Sequence, residues 1–104
     1  MKFKQWECEV FATYYKTDIG TNERKAIVLK NDEGVVATAT VNMPDYPCGD
    51  DQIHVKDYSE NEGMLQALID NGIVDPIPID NLGGKFVTIP LMNLTEKGMG
   101  LWEN

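Results

Sequence analysis

Ser59-Glu60-Asn61-Glu62-Gly63-Met64-Leu65-Gln66-Ala67-Leu68-Ile69-Asp70-Asn71-Gly72-Ile73 decides the fold class of this 104-residue chain. Ser59 and Glu62 stand at the spacing of a capping box, in which the serine oxygen accepts from the amide of residue 62 and the carboxylate reaches back. Glu60 and Glu62 also suit the positive end of a helix dipole. Met64, Leu65, Leu68 and Ile69 then recur at helical spacing as one apolar stripe, and Asn71-Gly72 with Ile73 beyond is a C-terminal stop. The spacing predicts one amphipathic helix over about residues 60–71.

Everything around that helix reads as strand or turn. Trp6, Cys8, Val10, Ala12 and Tyr14 alternate with Gln5, Glu7, Glu9 and Thr13, which predicts a long first strand over Lys4 to Tyr15. Lys16 to Lys25 is polar and reads as a mobile loop. Ala26 to Leu29 and Val35 to Val41 are apolar or β-branched and flank Asn31-Asp32-Glu33-Gly34, where Gly34 supplies the positive backbone angle of a short hairpin loop. Pro44 and Pro47 predict an irregular connection over Met43 to Asp51, because proline lacks an amide hydrogen and restricts the residue before it. Ile53 and Val55 make a short strand. Pro76, Pro78 and Gly83-Gly84 mark a further loop, and Lys85 to Ile89 with Leu91 to Leu94 reads as a last strand broken or edged at Pro90. These elements predict an α+β fold: a mostly antiparallel sheet of about five strands with the single helix packed on one face, burying both apolar surfaces in one core. One domain spans the chain, with 95–104 a loosely docked tail; Gly98 and Gly100 weaken a helix there, yet Met99, Leu101 and Trp102 are too apolar to be freely solvated.

Charge is distributed unevenly. Met1 to Pro44 holds six acids and six bases, Asn81 to Asn104 two of each, and the segment between carries Asp45, Asp50, Asp51, Asp57, Glu60, Glu62, Asp70, Asp75 and Asp80 against Lys56 alone, so the net charge of -8 belongs to that middle third. Direct nucleic-acid binding is disfavoured, because phosphate recognition needs clustered lysine and arginine. A segment this acidic instead attracts basic surfaces and speeds association in a salt-dependent way. The chain shows no apolar leader core and no run of about eighteen apolar residues, which predicts a soluble, cytoplasmic protein with no membrane contact.

Catalytic signals are weak. His54 is the single histidine, and its alternation with Ile53 and Val55 predicts a ring on the opposite face, at the surface. A dyad with Cys48 would need a positive surround for the thiolate, in the most negative part of the chain. Cys8 reads as a buried free thiol. The aspartates at 45, 50, 51 and 57 miss the spacing of a calcium loop, and Gly83-Gly84-Lys85 lacks the rest of a phosphate-binding loop. No cofactor, no metal and no catalytic residue is expected.

Four strings, Ala39-Thr40-Val41-Asn42-Met43-Pro44, Lys56-Asp57-Tyr58-Ser59-Glu60-Asn61-Glu62-Gly63, Leu68-Ile69-Asp70-Asn71-Gly72-Ile73-Val74-Asp75-Pro76 and Phe86-Val87-Thr88-Ile89-Pro90-Leu91, resemble a family of short bacterial proteins, a domain of unknown function carried on conjugative elements and prophages. The resemblance spans about residues 26–94 and implies a phage or mobile-element setting. It implies no catalytic residue, since the shared positions are turn, cap and core residues.

These observations predict a non-enzymatic protein whose nine middle carboxylates bind a basic protein partner, such as a host defence or DNA-processing protein. The alternative is a structural or self-associating module that uses an edge strand or the apolar contact at Met99, Leu101 and Trp102. An enzyme is the third class, and it requires a pocket uniting Cys48, His54 and a carboxylate.

Overall fold

A computed structural model of the protein describes residues 1–15, 24–83 and 87–103. Residues 16–23 of the expected loop, Gly84 of the expected turn, and Lys85 and Phe86 at the expected start of the last strand lie outside the described residues. The α+β class holds, but the single five-stranded sheet does not form. The described residues form three small antiparallel sheets: β1 (Lys2–Phe3) with β2 (Trp6–Glu7); β3 (Glu9–Tyr14), β4 (Lys25–Asn31) and β5 (Gly34–Thr38) in that order; and β6 (Gln52–His54), β8 (Thr88–Asn93) and β7 (Asp80–Gly83), with β8 central.

The long first strand expected over Lys4 to Tyr15 starts in a turn at Lys4, whose φ is 54°, and is divided at Cys8 into β2 and β3. Its alternation survives where it packs, with Cys8 buried and Val10 and Ala12 half-buried, whereas Trp6 and Tyr14 are exposed. The hairpin of β4 and β5 forms as its sequence requires, and the Asn31 side chain accepts from the Glu33 amide at 2.9 Å within the turn. Thr40 then links the two larger sheets: it forms an isolated bridge to Val55, while its Oγ1 accepts from the Ile27 amide at 3.2 Å and shares a 2.8 Å hydrogen bond with the Tyr15 hydroxyl.

Pro90 neither breaks nor edges its strand; it lies inside β8. The missing amide is tolerated because β6 departs at that point. Val55 donates to the Pro90 carbonyl at 3.0 Å, and the next amide, Lys56, turns to Ala39 at 2.9 Å. β7, in the stretch expected to be loop, pairs with β8 from Asp80 opposite Leu91 to Gly83 opposite Thr88.

The expected helix is shorter and starts differently. A 3-10 turn at Ser59–Asn61 precedes α1 (Met64–Asp70), and between them Gly63 has a φ of 96°, a conformation that glycine adopts without steric penalty and that no helix can contain. The capping box is not made, since neither helical segment has a side-chain cap at its N-cap position. Instead Asp57 Oδ1 accepts from the Leu65 amide at 2.9 Å. Asn61, buried, donates to the carbonyls of Thr38 at 2.6 Å and Lys56 at 3.1 Å and so fixes the turn against β5. The apolar stripe holds, with Met64 and Leu68 fully buried and Leu65 and Ile69 packed at the margin. So does the stop: Ile73 donates to Leu68 and Gly72 to Ile69, each at 3.0 Å, a Schellman arrangement.

The core joins Ile27, Leu29 and Ala37 of one sheet to Ile53 and Met92 of the other beneath Met64 and Leu68. The C-terminal segment is docked on it. α2 (Glu96–Met99) has Thr95 as N-cap, accepting from Gly98 at 2.9 Å, and a 3-10 turn at Gly100–Trp102 follows. Gly98 permits that helix to press on the chain below, for a Cβ there would lie 2.1 Å from the Ile73 carbonyl oxygen. No helix among the described residues is long and apolar enough to cross a membrane.

Candidate interaction surface

Eight of the nine middle carboxylates are exposed, namely Asp45, Asp50, Asp51, Glu60, Glu62, Asp70, Asp75 and Asp80, and Asp57 alone is half-buried, as the α1 cap. Asp50 and Asp51 follow Gly49 in a turn closed by the Gln52 amide and its side chain. The Asp51 carbonyl accepts from Leu94 at 2.7 Å and the Asp75 amide donates to Asn93 at 2.9 Å, so these two residues flank the end of β8. Asp80 faces Leu91 from β7, opposite His54 on β6. Glu60, Glu62 and Asp70 belong instead to the helical segment, and Asp45 to the irregular loop. No three histidine, cysteine, aspartate or glutamate side chains among the described residues are placed to share a metal ion.

Little basic charge offsets them. Among the described residues, Lys56 and Glu60 at 2.7 Å form the one ion pair involving these acids; their hydrogen bond lowers the Glu60 pKa and raises that of Lys56. Lys4 and Lys25 direct their ammonium groups to the main-chain carbonyls of Glu60 and Asp50, at 2.8 and 2.6 Å.

The apolar tail residues are occupied within the chain. Met99, Leu101 and Trp102 pack against the core, and Lys25 Nζ lies 5.5 Å from the Trp102 ring and 5.7 Å from that of Tyr14.

His54 departs from expectation. It is 3 % exposed rather than at the surface, because the face of β6 opposite Ile53 is itself covered, and its Nε2 has no hydrogen-bond partner among the described residues. Burial, reinforced by the Arg24 charge and opposed by Asp80, lowers its pKa and keeps it neutral. Cys48 donates to the Gln52 carbonyl at 3.3 Å, and burial raises its pKa despite Arg24 and Lys25 nearby. Burial likewise raises the pKa of Cys8, which is a buried free thiol as expected. Neither sulfur is poised as a thiolate. An open depression of about 560 Å³ is lined by Glu7, Cys8, Glu9, Phe11, Lys30, Asn31 and Asp32, and Lys30 lies over the Phe11 ring at 4.6 Å.

The sequence pattern missed the exposed apolar strap between α1 and β7, in which Ile77 is 76 % and Ile79 46 % exposed. Its signal is legible in retrospect: two isoleucines alternate with Pro76 and Pro78, where neither helix nor inner strand can form. No family model matches this chain, and neither a curated protein nor a solved structure does.

Proposed function

We propose that the chain is a non-enzymatic binding module that docks the acidic segment from Asp45 to Asp80 onto a basic protein partner, of the kind that handles nucleic acid. The observation that carries this reading is the exposure of eight carboxylates with, among the described residues, one ion pair between them and a base. Charges left in water and unpaired create a field that draws a basic surface and orients it during encounter. The resemblance to proteins of phages and conjugative elements supports a partner in the host cell's defence or DNA-processing machinery. Self-association through the tail is the weaker reading, since Met99, Leu101 and Trp102 already spend their apolar surface on the core.

Capture from a bacterial lysate, at low and high salt, tests it. A specific partner is expected at low salt, lost at high salt, and lost at low salt when Asp45, Asp50, Asp51, Asp75 and Asp80 are all changed to Asn. Retention by that variant, or at high salt, excludes an electrostatic interface.

A further inference from the structure

We propose that Ile77 is the apolar anchor of this acidic surface, inserting into an apolar pocket rimmed by lysine or arginine on the partner; this rests on the docking function above. Single exposed apolar side chains are ordinary, so exposure alone is no argument. The setting of Ile77 is what distinguishes it. Pro76 and Pro78 flank it, fixing their own φ and restricting the residues before them, Asp75 and Ile77, to extended conformations. Both ends of the strap are tied to β8, Asp75 to Asn93 and Ile79 to Leu91, each at 2.9 Å. A side chain held out on so constrained a segment loses little conformational freedom on binding. The prolines also remove two amides, which disfavours strand addition along the strap and leaves recognition to the side chains.

Charge defines the partner. Asp75 and Asp80 bracket the strap, both exposed and neither in an ion pair among the described residues, and no lysine or arginine lies between Lys56 and Lys85 in the sequence. A pocket closing over Ile77 must therefore present cations at its rim. A second copy of this chain, with the same surplus of acid, does not meet that requirement.

Two peptides of equal charge serve as probes, an oligolysine and a longer amphipathic leucine-lysine helix, titrated by calorimetry against the intact protein and an Ile77→Ser variant. Ile77 is exposed, so the variant is expected to keep the native melting temperature. The amphipathic peptide is expected to bind the native protein about tenfold more tightly than oligolysine, the worth of one buried isoleucine, and Ile77→Ser to remove that advantage while leaving oligolysine binding unchanged. Equal binding of the amphipathic peptide to both proteins overturns the anchor alone. Failure of oligolysine to bind overturns the electrostatic reading and the basic rim with it.

Discussion

The indole Nε1 of Trp102 donates to the main-chain carbonyl of Thr13 at 2.9 Å, across 89 residues of sequence. This contact, with Lys25 lying over the same ring, fastens the C-terminal turn to β3. Trp102→Ala is expected to cost about 2 kcal/mol in urea unfolding, below the usual value for a fully buried tryptophan because the ring is half-exposed. Light scattering on the same variant is expected to show an unchanged mass; a fall in mass would mean that the tail holds copies together.

Gly98 and Gly100 make opposite predictions. A Cβ at Gly98 meets the Ile73 carbonyl, a main-chain group that cannot swing aside, so Gly98→Ala is expected to destabilise by about 3 kcal/mol. At Gly100 nothing lies within 4 Å and the φ of -60° is helical, so Gly100→Ala is expected to stabilise by about 0.5 kcal/mol. Thermal melts of the pair decide whether α2 is packed as described.

The start of α1 offers a direct comparison of two caps. Asp57→Ala removes the acceptor for the Leu65 amide and is expected to cost about 1 kcal/mol. Ser59→Ala removes a hydroxyl that caps neither helical segment, and a change below about 0.5 kcal/mol is expected, as for an ordinary surface site. Reversal of that order in denaturant titrations would restore the capping box.

His54 confers acid sensitivity. Its pKa is lowered in the folded protein, so the unfolded chain takes up the proton first. The penalty is absent above the ordinary histidine pKa and grows as pH falls below it, so stability declines from about pH 7 towards pH 5. Urea midpoints are expected to fall over this range in the native protein and to fall less in His54→Leu; equal slopes would remove His54 as the cause.

Local chemistry carried the legible part of the fold. The β4–β5 hairpin, the irregular stretch after Met43, the apolar stripe from Met64 to Ile69 and the stop at Gly72 each depend on residues within one element, and all are present. The departures arise where a distant group decides. Ser59 and Glu62 had the spacing of a cap, but the left-handed Gly63 separates them from α1, and Asp57 takes the role from further upstream. Pro90 is acceptable within β8 only because β6 ends beside it, and His54 is buried by what covers its sheet face; neither circumstance is encoded near those residues. The acids were legible as a run in sequence, whereas Ile77 became conspicuous only once its neighbours were anchored to β8.

Thr40 has a mechanical consequence. Among the described residues, the main chain is stitched between the two larger sheets around its bridge to Val55, while the apolar side chains beneath run on without a break. Force applied across that line would be resisted by a zip of few rungs over a greasy, continuous floor, so the halves can slide by small amounts before they part. The strap that carries Ile77 is tied to β8 on the β7 side, the edge away from this line, so a displacement there carries the strap along with its sheet and leaves its own anchorage intact.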